Sequence, residues 1–235
     1  MNKSTLLTAM FFSTAMLFAE LPAPVVDLEL NTGDVKTIQD VSANSAKVVV
    51  FAPGKLSWAE GPNGKALQFD GDCTAPRGAL QIAPPQDFNL AKGFTLRFIF
   101  RTPDDYRRNV RYQLFQYGSG ADKVTGLTLF LYWRGIHCRY GVKASGATQT
   151  AAGFVVKPAT WYDCAVTYDT KAVTIYVDGK AVAATPDVRI DDLKARWFTI
   201  GATSPGGAGY AFKGLLGAAR IYNRALTAEE ISNLD

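Results

Sequence analysis

A chain of 235 residues, 48% of them apolar and 20% charged, is long enough to bury one large core and fits a single big domain better than two small ones. Its formal charge of +4 is too mild an excess to mark a nucleic-acid binder. Beyond the leader, no stretch reaches the roughly 20 consecutive apolar residues of a membrane span.

The chain opens with Lys3, an apolar run from Leu6 to Ala19, then Glu20 and the Pro22-Ala-Pro24 break. This pattern predicts a secretory signal over 1–19, cut after Ala19, and a single domain over 20–235 that is secreted, periplasmic or on the cell surface. Val25 to Leu30 reads as a first strand and Asn31 to Ala46 as a polar loop. Val48 to Phe51 is a short apolar run and, after the Gly61 to Gly64 turn, Lys65 to Gly71 reads as a strand with Leu67 and Phe69 alternating with outward residues. Phe94, Leu96, Phe98 and Phe100 then occupy every second position, which puts four apolar side chains on one face and Arg97 and Arg101 on the other.

Further strands follow at Tyr112 to Tyr117, Leu127 to Trp133, His137 to Val142, Thr148 to Val155, Trp161 to Tyr168, Val173 to Val177 and Trp197 to Ile200, with an Asp178-Gly179 hairpin among them. Between Arg97 and Lys143, seven Arg and two Lys face Asp104, Asp105 and Asp122 alone. That local excess suits an acidic glycan or another anionic surface polymer. Helical chemistry is confined to the end. Thr227 with Glu230 makes a capping box, and Leu226 with Ile231 a hydrophobic staple. Short strands punctuated by Gly, Asp and Pro throughout predict an all-β fold: a two-sheet antiparallel jelly-roll β-sandwich with a short C-terminal helix.

Several segments occur in a telling order: GKALQFDGD at Gly64 to Asp72, GFTLRFIFRTPDD at Gly93 to Asp105, WYDCAVTYD from Trp161, VTIYVDGK from Val173 and ARIYNRALTAEEI from Ala219. Together they resemble the laminin-G-like group of the concanavalin A-like lectin/glucanase superfamily. The resemblance implies a secreted jelly roll that binds sugar or protein. Many relatives carry an acidic residue after the FKG segment that helps to hold a structural calcium. Here that stretch reads Leu215-Leu-Gly-Ala218, which leaves Asp70 and Asp72 as candidate calcium ligands, although Asp-Gly-Asp is also ordinary turn chemistry. Asp163 stands where relatives often have His.

Three cysteines allow at most one intramolecular disulfide. Cys138 and Cys164, on neighbouring predicted strands, make the better pair; otherwise all three are small buried side chains. Their spacing matches no zinc motif.

Catalytic patterns are missing. Retaining glycosidases need two carboxylates about 5 to 5.5 Å apart, which on one strand means acidic residues at alternate positions. The five Glu residues supply no such pair, and Asp27 with Glu29 reads as solvated. If Leu127, Leu129, Leu131 and Trp133 face the core, Phe130, Tyr132 and Arg134 face out. The same argument exposes Arg97 and Arg101, with His137 or Arg139 beside them. Aromatic faces stack on sugars and guanidinium forks pair with carboxylate or sulfate, so Arg97, Arg101, Phe130, Tyr132, Arg134, His137 and Arg139 are the candidate ligand residues. The expected function is a non-catalytic binding module for carbohydrate or a cell-surface ligand. A structural or adhesion protein is the alternative, and a polysaccharide lyase or hydrolase with an unrecognised site is a further one.

Overall fold

The computed structural model describes residues 22–28, 30, 33–119, 125–133, 135–142, 146–152, 155–207 and 209–234. The leader expected at 1–19, Glu29, Asp122 and the candidate ligand residue Arg134 lie outside them. Among the described residues, strands occur at β1 (Val26–Asp27), β2 (Val48–Phe51), β3 (Leu56–Gly61), β4 (Gly64–Asp70), β5 (Ala79–Ile82), β6 (Phe94–Arg101), β7 (Tyr112–Ser119) and β8 (Thr125–Tyr132). They continue with β9 (Gly135–Val142), β10 (Gly146–Ala152), β11 (Trp161–Tyr168), β12 (Val173–Val177), β13 (Lys180–Thr185), β14 (Phe198–Ile200) and β15 (Lys213–Tyr222), and the helix α1 (Ala228–Ser232) follows.

The strands form two antiparallel sheets. One runs β13-β12-β11-β6-β15-β4-β3, with β1 also paired to β15; the other runs β10-β9-β8-β7-β14-β5-β2. Period-two alternation sets the core. Phe94, Leu96, Phe98 and Phe100 from β6 are all 0% exposed and share one cluster with Leu127, Leu129 and Leu131 from β8. The expected jelly-roll sandwich is therefore the observed fold.

Three expectations are corrected. β3 and β5 are strands in segments to which the sequence reading assigned no element. Trp133, expected in the core, sits at the β8–β9 turn with φ of 47° and is 60% exposed, because the left-handed turn rotates it out of the strand's alternation. The expected Cys138–Cys164 pair is not formed. Cys138 is on β9 and Cys164 on β11, in opposite sheets instead of on neighbouring strands, and both are free thiols inside the core. Burial pushes both thiols well up, so they stay protonated.

The C-terminal segment closes one outer face. Thr227 Oγ1 accepts the Glu230 N–H (3.1 Å) and Glu230 Oε2 accepts the Thr227 N–H (2.8 Å), completing the capping box. Leu226 and Ile231 pack with Ala165, Tyr176 and Tyr222 in a second apolar cluster. The Arg224 guanidinium, bonded to both carboxylate oxygens, holds Glu230 at about 2. A carboxyl depressed in the folded state stabilises above its unfolded pKa, and that contribution is lost as pH falls through the folded pKa. Glu230→Gln is therefore expected to melt lower than wild type at pH 7, with the gap closing between about pH 4.5 and pH 2. Thermal melts across that range check it; a gap that stays constant to pH 2 contradicts it.

Candidate functional site

The outward side of the β2-to-β10 sheet carries a polar row that crosses five strands. Gln81 lies opposite Thr199, Thr199 opposite Gln116, Gln116 opposite Thr128 and Thr128 opposite Arg139. Gln81 donates to the Thr199 hydroxyl at 3.2 Å. Gln116 donates to the Gly118 carbonyl (3.3 Å), while its own Oε1 is buried with no partner among the described residues. Such an orphan acceptor costs about 1–3 kcal/mol and is the kind of feature that collects at binding sites.

One step along the strands is an aromatic and cationic row. Gln113 faces Phe130 and Phe130 faces His137 in register. The Phe130 and His137 rings stack at 5.2 Å and 10°. The Arg111 guanidinium lies over Phe130 at 3.8 Å and over Tyr210 at 4.7 Å. It also donates Nε and Nη2 to Gln113 Oε1 (3.1 and 2.9 Å), and Gln113 passes its amide hydrogens to Thr128 Oγ1 and the Phe115 carbonyl, both at 2.6 Å. Tyr132, half-buried, borders the row 6.4 Å from His137.

His137 Nε2 donates to the Tyr132 carbonyl at 2.7 Å. Burial, with the Arg111 charge adding to it, lowers the imidazole pKa, so the ring is neutral at pH 7. A neutral ring lets Phe130 stack on it without desolvating a charge. The described side chains named on this face include two guanidiniums, amides, hydroxyls and aromatic rings, and no carboxylate.

Tyr210 is held from below. Arg77, 4% exposed, donates Nη1 to the Ser204 carbonyl (3.0 Å) and to that of Gly207, and Nη2 to that of Cys73. These bonds pin the Gly-rich loop that presents Tyr210. Sequence reasoning missed Arg111, Gln113, Gln116, Arg77 and Tyr210. Arg111 and Gln113 were reachable, because alternation puts them opposite Tyr112; Gln116 was hidden by the bulge between Gln113 and Phe115, which reverses that alternation, and the loop positions left no periodic signal.

The candidate ligand residues fall into two groups. Phe130, Tyr132, His137 and Arg139 share the face just described. Arg97 and Arg101 lie on β6 in the other sheet, on the opposite side of the sandwich. Arg97 is 1% exposed; its Nε and Nη2 pair with the Asp163 carboxylate at 2.7 to 3.2 Å and Nη2 donates to the Leu234 carbonyl at 3.2 Å. The C-terminal segment thus seals Arg97 away from any ligand, which corrects its assignment. It also explains Asp163, the residue standing where relatives often have His. Arg101 pairs with Asp104 at 2.7 Å.

Asp70 and Asp72 do not fit a calcium ion. Asp70 Oδ1 accepts the Asp72 N–H (2.9 Å) and Asp72 Oδ1 accepts the Thr74 N–H (2.8 Å), as turn residues do. The Lys55 ammonium lies 2.6 Å from Asp72 Oδ2, next to where a cation would sit, and its hydrogen bond holds that carboxyl well below the usual range. A hard cation takes six to eight oxygens, and no group of three or more His, Cys, Asp or Glu among the described residues is placed to hold one. Asp27 pairs with Arg220 at 3.1 Å.

The same architecture recurs in solved proteins. The binding domain of Paraclostridial Mosquitocidal Protein 1 matches with a TM-score of 0.69 at 16% identity, over 89% of this chain and 51% of that one. The binding domain of Botulinum Neurotoxin DC, in complex with SialylT, matches with 0.68 at 13%, over 89% and 50%. The botulinum neurotoxin serotype C1 binding domain gives 0.68 at 11%, over 89% and 51%. The chain thus spans about half the length of each, and at these identities the likeness is one of fold. No curated protein matches in sequence. A laminin G family model does match, over residues 75–232, and the chain belongs to the concanavalin A-like lectin/glucanases superfamily.

Proposed function

We propose that the protein is a non-catalytic binding module for carbohydrate, with acidic glycans the preferred class, and that the ligand lies on the outward face of the β2-to-β10 sheet. The observation that carries this reading is the juxtaposition of the Arg111 guanidinium with the Phe130 and Tyr210 rings, beside the Gln81-Thr199-Gln116-Thr128-Arg139 row. The Tyr210 ring, 40% exposed, suits the apolar side of a pyranose, the part-exposed Gln81 amide suits its OH groups, and the Arg111 and Arg139 guanidiniums suit a carboxylate or sulfate, with the buried Phe130 backing Arg111. Cell entry of botulinum neurotoxin type C, half of whose matched chain shares this architecture, is dependent upon interaction with two ganglioside molecules.

An array of neutral, carboxylated and sulfated glycans tests the reading. Saturable binding to the charged members, weakening as salt rises, is expected, with neither new reducing ends nor unsaturated products from the bound glycans. Cleavage of a bound glycan, or a silent array, would overturn it.

A further inference from the structure

The β6–β7, β8–β9, β10–β11 and β14–β15 connections gather at one end of the sandwich. The Trp133 N–H donates to the Arg108 carbonyl (2.7 Å), the Ala159 N–H to the Pro103 carbonyl (3.2 Å) and the Gln113 N–H to the Ala211 carbonyl (3.2 Å), tying them together. Tyr106, Arg108, Val155, Val156, Lys157 and Pro158 line one shallow cleft there. Six large apolar side chains are exposed among the described residues, and four of them lie at this end: Val110 (38%), Trp133 (60%), Val155 (54%) and Tyr210 (40%). Isolated exposed apolar residues need no explanation, but a cluster of them does.

The charges at this end are as lopsided. Arg107, Arg108 and Lys157 are exposed, and among the described residues none makes an ion pair. The nearby Asp104 and Asp105 are engaged by Arg101 (2.7 Å) and Lys213 (2.6 Å). Trp133 is presented from a left-handed backbone that a bulky residue adopts only under constraint, here the bond to Arg108.

We propose that this end of the sandwich docks onto an anionic lipid bilayer, with Trp133, Val110 and Val155 entering the headgroup region and Arg107, Arg108 and Lys157 meeting lipid phosphates. The chemistry favours a bilayer over a glycan here. Valine has no ring face to stack on a sugar and gains only by leaving water, whereas an indole flanked by aliphatic groups and ringed by cations matches the polarity gradient of a membrane surface. No described helix is long and apolar enough to cross a membrane. Tyr210 borders both surfaces, but the varied residues Arg107, Arg108, Trp133 and Val155 form no part of the Arg111-Phe130-Tyr210 group, so the tests separate the two proposals.

The test is co-sedimentation of wild type, Arg107→Glu/Arg108→Glu and Trp133→Ser/Val155→Asp with phosphatidylcholine vesicles, with and without phosphatidylglycerol. Thermal melts confirm folding, and glycan-array signals are expected to be unchanged in the charge-reversal variant. Wild type is expected to bind only the anionic vesicles, less at high salt; the charge-reversal variant is expected to bind them at least about tenfold more weakly, since each basic residue contributes roughly a fivefold factor near an anionic surface, and Trp133→Ser/Val155→Asp to bind them more weakly because the inserted apolar groups are lost. Equal binding to neutral vesicles, variants that bind like wild type, or capture of soluble heparin without vesicle binding would each overturn the proposal.

Discussion

Arg97→Ala is expected to destabilise the fold by about 3 kcal/mol, because truncation removes a sealed guanidinium from the half-buried Asp163 carboxylate and leaves its packing space empty. For a domain of this size that lowers the melting temperature by roughly 6 to 12 °C. Arg97 is 1% exposed and meets Asp163 through Nε and Nη2, and its second bond fixes the Leu234 carbonyl. Removing it leaves Asp163 unpaired beneath α1 and loosens the segment whose Leu226 and Ile231 cover Ala165, Tyr176 and Tyr222. The double replacement Arg97→Met/Asp163→Leu is expected to recover at least half of the loss, since apolar groups of similar volume need no partner there. Glycan binding is expected to persist in both. Denaturant unfolding checks the stability, and a loss below about 1 kcal/mol, the level of an exposed ion pair, would mean that Arg97 is not sealed.

Arg111→Ala is expected to weaken binding of the array-selected glycan by about 30-fold, or about 2 kcal/mol, by removing a cation from the face and the group that bridges two rings. The Arg111 guanidinium lies over both Phe130 and Tyr210. The variant also strips two donors from the fully buried Gln113 Oε1, so stability is expected to fall by about 1–2 kcal/mol. Arg111→Lys separates charge from shape. An ammonium keeps the charge but offers neither a planar stack nor a two-donor fork, and this variant is expected to recover less than a third of the lost binding energy. Calorimetric titration of the three proteins checks this; full activity in Arg111→Lys would reduce the residue to a point charge.

Much of the fold was legible because its signals are local. Alternation from Phe94 to Arg101 and from Trp161 to Tyr168 marks strands with one face in the core, and Thr227 with Glu230 marks the helix start. β5 was hidden because its four residues, Ala79–Ile82, are flanked by Pro76 and by Pro84-Pro85, whose turn signal outweighs so short a run. β3 was hidden by Pro53-Gly54 before it and the Gly61–Gly64 turn after it.

The candidate site was legible only in part, for a physical reason. Period two shows that Phe130 and Tyr132 share a side of β8, and that Arg97 and Arg101 share a side of β6. Which sheet each strand joins depends on pairings far apart in sequence. β6 lies between β11 and β15, whose paired residues are sixty or more positions away, and this puts its outward arginines on the opposite side of the molecule from His137. Likewise, the Asp163 departure and the Arg97 candidate were two separate observations until the fold joined them as one ion pair.

The most direct test of the account is to map amide chemical shifts while titrating the array-selected glycan. The account predicts perturbations concentrated in 111–118, 127–132, 135–140 and around Tyr210, with 95–101, 161–168 and 213–222 unmoved. Perturbations centred on the β6–β11–β15 face instead would contradict it.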